Sequence, residues 1–229
     1  MSKRLALVLS VLTILIMVSF IYFNFDELKK SGITGYQVMS TRLVIISENE
    51  TICDTTFEAG WNLASFPCVS GDTDIELFLV SLNNSYQSVR YYKPTDINDP
   101  WKSYNPSLPA WAIQDLTMIS RRDGYWIYFE NQTPVFINHT LATPTLTSLT
   151  PGWNLIGYPS RNIRTVNDTF YQLIPNYDYV YMYNASDPID KWKEYTWNTS
   201  LPSAQDLNYT LYYYGYWIYV ISPDILLLN

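Results

Sequence analysis

The sequence predicts an α+β fold in which strands dominate. It reads as a tandem duplication of a unit of about 80 residues, each unit made of short strands and one or two short helices, after an N-terminal transmembrane helix. Three observations predict this. Tyr (21) and Trp (8) are unusually abundant, and aromatic residues favour strands. Four separate blocks recur at a near-constant spacing. One long apolar run, broken only by Ser10, Thr13 and Ser19, stands near the N-terminus.

That run extends from Leu5 to Phe23 behind Lys3 and Arg4, and Asp26-Glu-Leu-Lys-Lys30 ends it. Its 19 residues would make roughly 28 Å of helix, close to the thickness of bilayer hydrocarbon. The run closes in Phe20-Ile-Tyr-Phe-Asn-Phe25, which has no small-residue cleavage site, so residues 1–30 read as an uncleaved anchor and its flank rather than a signal peptide. Basic residues flank both ends and leave orientation open.

Two further features place the bulk of the chain outside. Eight N-x-[ST] acceptors occur, at Asn49, Asn83, Asn131, Asn138, Asn167, Asn184, Asn198 and Asn208, where chance (17 × 40/229) gives about three. Cys53 and Cys68 are an even pair 15 apart, which in an exported chain reads as one disulfide. A hairpin turning at Glu58-Ala-Gly60 would bring the two cysteines opposite each other. The expected location is a single-pass protein of the cell membrane, N-terminus inside and C-terminal bulk outside.

The repeated blocks organise the rest. Gly60-Trp-Asn-Leu63 recurs as Gly152-Trp-Asn-Leu155, and Asp96–Tyr104 as Asp187–Tyr195. Gln114-Asp-Leu116 recurs as Gln205-Asp-Leu207, and Gly124-Tyr-Trp-Ile-Tyr128 as Gly215-Tyr-Trp-Ile-Tyr219, all 91 or 92 residues on. Repeat 1 spans 58–139 and repeat 2 spans 150–229, with a Thr/Pro-rich linker at 140–149 and an extra strand pair at 31–57 leading into repeat 1.

Within a repeat, the Gly-Trp-Asn-Leu block reads as a strand. A short helix follows, with Asp72 or Asp74 as cap and Ile75, Phe78, Leu79 and Leu82 on one face; Thr165 caps the corresponding helix. Strands are expected at 89–92 and 179–183, from Trp101 and Trp192, at both Gly-Tyr-Trp-Ile-Tyr blocks, and at 133–138 and 221–228. Strands apolar on both sides need cover on both sides, from the helix and from a second sheet or the sister repeat. An all-β sandwich is the alternative architecture.

Gly-Trp-Asn-Leu with a following Pro, then Trp-Lys-x-Tyr, then Gly-Tyr-Trp-Ile, resembles the GWN-type repeat of prokaryotic, especially archaeal, surface proteins. The resemblance covers most of 58–229. It implies a membrane-anchored extracellular module and carries over no catalytic residue.

Trp61, Trp101, Trp126, Trp153, Trp192 and Trp217 are expected as repeat core, Asn62 and Asn154 as buried amides holding loop backbone, and Asp115 and Asp206 as caps or turn formers. A positive φ is expected at Gly60, Gly152, Gly124 and Gly215. The acidic loops Asp96–Asp99 and Asp187–Asp190 are solvated turns, with calcium as the alternative. No phosphate loop, nucleophile elbow or metal-ligand cluster is present. The net charge of −7 argues against nucleic acid as a partner. The expected function is a glycosylated, non-catalytic structural or interaction module of the cell surface, with no cofactor and with the membrane, envelope proteins or glycans as partners. A carbohydrate- or protein-binding adhesin using exposed aromatics is the second reading, and an envelope hydrolase the third.

Overall fold

The computed structural model describes residues 35–39, 42–46, 51–69, 71–80, 82, 85–109, 111–139 and 144–228. The expected anchor at Leu5–Phe23, the acceptors Asn49 and Asn83, and the side chain of Asn138 lie outside the described residues. Among the described residues, no helix is long and apolar enough to cross a membrane.

The chain divides into two compact units, Met1–Glu50 and Thr51–Asn229. In the first, β1 (Gly35–Met39) pairs antiparallel with β2 (Arg42–Ile46), both within the stretch 31–57 where a strand pair is expected.

The second unit is β-dominant and holds two four-stranded antiparallel sheets with the same strand order. The first sheet runs β4 (Gly60–Ser65), β9 (Gly124–Phe129), β6 (Tyr86–Tyr92), β7 (Trp101–Tyr104). The second runs β12 (Gly152–Gly157), β17 (Gly215–Val220), β14 (Tyr177–Tyr183), β15 (Trp192–Tyr195). Each has a companion two-stranded ladder, β3 (Thr51–Phe57) with β10 (Thr133–His139), and β11 (Thr145–Leu149) with β18 (Asp224–Leu228). Two smaller ladders complete the unit: β5 (Asp72–Asp74) with β8 (Met118–Ser120), and β13 (Arg164–Thr165) with β16 (Tyr209–Thr210).

Two short helices follow β5 and β13. In α1 (Ile75–Val80), the Asp74 carboxylate accepts the Glu76 and Leu77 amides and caps the first turn. Thr165 does the same for α2 (Val166–Phe170) by accepting the Asp168 amide. The apolar faces of the helices join two separate cores. One gathers Phe57, Phe66, Phe78, Tyr125 and Phe129; the other gathers Tyr158, Phe170, Tyr177, Tyr216 and Leu226.

Three expectations need correction. The stretch 140–149 is not all linker, because Thr145–Leu149 is a strand burying Thr145, Thr147 and Leu149. Alternating threonines supply a half-buried strand that composition disguises as loop. Residues 51–57 are not an extra element: β3 enters the first half as β11 enters the second. The disulfide joins Cys53 and Cys68, Cα atoms 6.2 Å apart, yet β3 does not pair with β4 across the turn at 58–60. Cys53 instead pairs in register with Ile137.

The halves meet through backbone. The Ser65 amide donates to the Tyr213 carbonyl, and the Gly157 amide to the Arg122 carbonyl, both at 2.8 Å. Each bond is the other carried to the matching positions of the opposite half. Bridges Ala64–Tyr214 and Ile156–Asp123 repeat the relation.

Glycine sets the approach. Gly60 (φ +94°) and Gly152 (φ +92°) have the expected left-handed turn, but Gly124 and Gly215 do not. These two serve closeness instead. A Cβ on Gly124 would stand 2.7 Å from the Ile156 carbonyl oxygen, and one on Gly215 2.9 Å from that of Ala64. At Gly157 a Cβ would lie 2.5 Å from the Arg121 carbonyl oxygen.

Gly157→Ala therefore destabilises the fold by about 1–3 kcal/mol through overpacking of backbone against backbone. Gly60→Ala, with open space around it, costs only about 1 kcal/mol through its left-handed φ. Denaturant unfolding of the two variants checks the order.

Candidate functional site: paired aromatic clefts

Strand alternation sends Tyr125, Ile127 and Phe129 of β9 into the core and Trp126 and Tyr128 to the opposite face. The same alternation puts Trp61, Arg90, Tyr92 and Trp101 on that face of the first sheet. Trp153, Tyr181, Tyr183, Trp192 and Trp217 hold the matching places in the second. None of the six expected core tryptophans lies in either buried core. Trp101, Trp153 and Trp192 keep 44%, 38% and 45% of their surface exposed. The correction has a physical cause: in a six-residue strand of apolar residues the sequence shows both faces greasy, and pleat direction decides which one is sealed.

The tryptophan faces meet each other. Trp126 packs on Tyr183 (5.0 Å between ring centroids) and Trp192 (5.8 Å). Trp217 packs on Tyr92 (5.1 Å) and Trp101 (5.9 Å). Within each half, Trp61–Trp126 at 6.4 Å answers Trp153–Trp217 at 6.3 Å. Matching ring pairs at this seam agree within 0.1 Å.

Two clefts flank the seam. The first, of about 650 Å³, is lined by Trp61, Arg90, Trp101 and Trp126 of its own half and by Tyr183 of the other. The second, of about 470 Å³, is lined by Trp153, Tyr181, Trp192 and Trp217 and by Tyr92 of the first half. All five positions correspond, 91 or 92 residues apart, and four of them hold aromatic rings in both clefts. The fifth differs: Arg90, its guanidinium 5.1 Å from the centre of the Trp61 ring, stands where the second cleft has Tyr181. Such volumes suit small ligands, and ring faces with polar edges give them orientation.

The polar residues of the repeated blocks support these walls. The Asn62 amide donates to the Glu58 and Gly60 carbonyls while its oxygen accepts the Glu58 amide. Asn154 repeats the pattern on Thr150 and Gly152. Each fixes the turn that delivers Trp61 or Trp153. Asp115 accepts the Ser103 amide and Asp206 the Glu194 amide, pinning edge strands β7 and β15.

The acidic loops are neutralised from within. Lys102 reaches Asp96, Asp99 and Asp115 at 2.9, 3.1 and 3.6 Å. Lys193 reaches Asp187, Asp190 and Asp206 at 3.1, 3.1 and 3.4 Å. An ammonium thus occupies the place where the calcium alternative needed an ion, and among the described residues no group of His, Cys, Asp and Glu is arranged to hold a metal. The amides of Asp190 and Ile189, together with Lys193, hold the Asp187 carboxyl at about 2. Both lysines are raised, Lys102 chiefly by Asp96 and Lys193 chiefly by Asp190.

Of the other expected acceptors, Asn131, Asn167 and Asn208 are exposed. The side-chain oxygens of Asn184 and Asn198 accept from the hydroxyls of Ser186 and Ser200, the third residues of their own triplets.

No family model, curated protein or solved structure matches the chain.

Because the folded Asp187 value lies below that of a free carboxylate, the order it contributes is complete above pH about 4 and is lost as pH falls through about 2. Lys193→Met leaves three carboxylates facing one another and moves the Asp187 titration upward. Carboxylate NMR titration of both proteins reads this, and an unmoved Asp187 contradicts the cage.

Proposed function

We propose that the chain is a membrane-tethered, extracellular module, duplicated from one ancestral unit of the GWN type, that holds sugar chains in its paired aromatic clefts. One observation carries the reading: five wall positions recur in both clefts, and four of them put aromatic rings on a surface away from either core. Packing alone would seal such rings. Here Trp101, Trp153 and Trp192 remain open to solvent beside room for a ligand. The faces of pyranose rings present C–H groups that pack on aromatic faces, and their hydroxyls hydrogen-bond to polar rims.

Location rests on the apolar run Leu5–Phe23, the eight acceptors and the disulfide. The N-terminus would lie inside and residues after about 30 outside. No catalytic residue is assigned.

A second reading, contact with another envelope protein, has its own observation. The loop after β7 exposes Trp111 (85%) and Ile113 (88%) without placing them in either cleft.

A glycan array separates the two. The wild-type protein retains at least one oligosaccharide, and Trp61→Ala with Trp153→Ala abolishes retention while the far-UV spectrum is kept. An array on which the wild-type protein retains nothing overturns the sugar-binding reading.

A further inference from the structure

We infer that the two clefts differ in charge, and that the first takes a sugar bearing an acidic group, read by Arg90. The inference rests on the sugar-binding reading above.

Four of the five wall positions match in kind between the clefts; Arg90 and Tyr181 are the pair that does not. Arg90 is exposed, and its guanidinium stacks 5.1 Å from the centre of the Trp61 ring, at the cleft wall. Among the described residues it has no carboxylate at ion-pair distance. The neighbouring cation of this cleft, Lys102, is already taken by Asp96, Asp99 and Asp115. Of the two cations that line this cleft, Arg90 is therefore the one left to meet a ligand. An arginine held on an aromatic face keeps its edge donors free and loses little side-chain freedom on binding, and that edge matches a carboxylate or a sulfate through paired hydrogen bonds.

The rest of the first cleft fits a sugar rather than a simple anion. Ser88 and Ser103 line it beside the rings and offer neutral hydroxyls to sugar hydroxyls. In the second cleft, Tyr181 replaces the guanidinium and pairs in register with Glu194, which stands where the first half has Ser103. That cleft has five aromatic walls and no cation, so it takes uncharged sugar. The strand register that builds the two clefts is the same; the exchange of one side chain changes what each selects.

The test uses the same array with three sets of oligosaccharides: uronic-acid-containing, sulfated and neutral. The wild-type protein retains acidic members, and Arg90→Gln weakens them about 10- to 100-fold, the loss of a charge-assisted pair. Arg90→Lys restores part of that loss, the neutral set weakens less than the acidic set in both variants, and acidic binding weakens as salt rises. Whether the uronate or the sulfated arm responds identifies the source of the acidic group. Acidic binding that survives Arg90→Gln, or a wild-type protein that retains only neutral sugars, overturns the inference and leaves sugar binding standing. Retention of nothing at all removes the parent reading instead.

Discussion

Two hydrogen bonds between strand ends govern the architecture: the Ser65 amide to the Tyr213 carbonyl and the Gly157 amide to the Arg122 carbonyl. With the bridges Ala64–Tyr214 and Asp123–Ile156 they join the two sheets corner to corner. Once those corners touch, the pleat turns the tryptophan rows of the two sheets toward each other. The seam then closes through Trp126 on Tyr183 and Trp217 on Tyr92, and the clefts open on either side. Backbone approach this tight needs glycine at Gly124, Gly157 and Gly215, where any Cβ would collide with a carbonyl of the opposite half.

Each half has solved the same problem of covering a sheet that is apolar on both sides. Helix and companion ladder cover one side and make a sealed core. The sister half covers the other only in part, so aromatic surface remains to meet something else. The two halves differ in side chains at the junction. Tyr213, in a left-handed conformation (φ 70°), inserts its ring into the first core, 6.2 Å from Phe57. The matching position in the first half is Arg122, whose side chain points to Asp72 at 2.6 Å. A bulky residue in that region of backbone is strained, and burial in the partner core offsets the strain. The backbone bonds thus correspond between the halves while the side chains differ.

Much of this was legible beforehand. Spacing of Ile75, Phe78 and Leu79 after Asp74 fixed a capped helix, and the paired Asn residues declared themselves as amides holding turns. The cysteine pair was legible because its spacing is short. What could not be read was sidedness. In Gly-Tyr-Trp-Ile-Tyr every residue after glycine is apolar or aromatic, so alternation carries no polar marker of the outer face. Threonines in Thr145–Leu149 hid a strand for the opposite reason, since a polar name concealed burial. The acidic loops read as solvated turns, and only the fold shows Lys102 and Lys193 among their carboxylates and brings Asp115 and Asp206, a loop away in sequence, onto the same ammonium.

The junction itself is open to direct measurement. Native-state hydrogen exchange, followed residue by residue, reports whether the Ser65 and Gly157 amides are bonded across the halves. Both are expected to be protected as strongly as the core amides of β9 and β17 and to open together. Exchange of either amide at the rate of a free loop, with the two sheets still protected, would contradict that bonding.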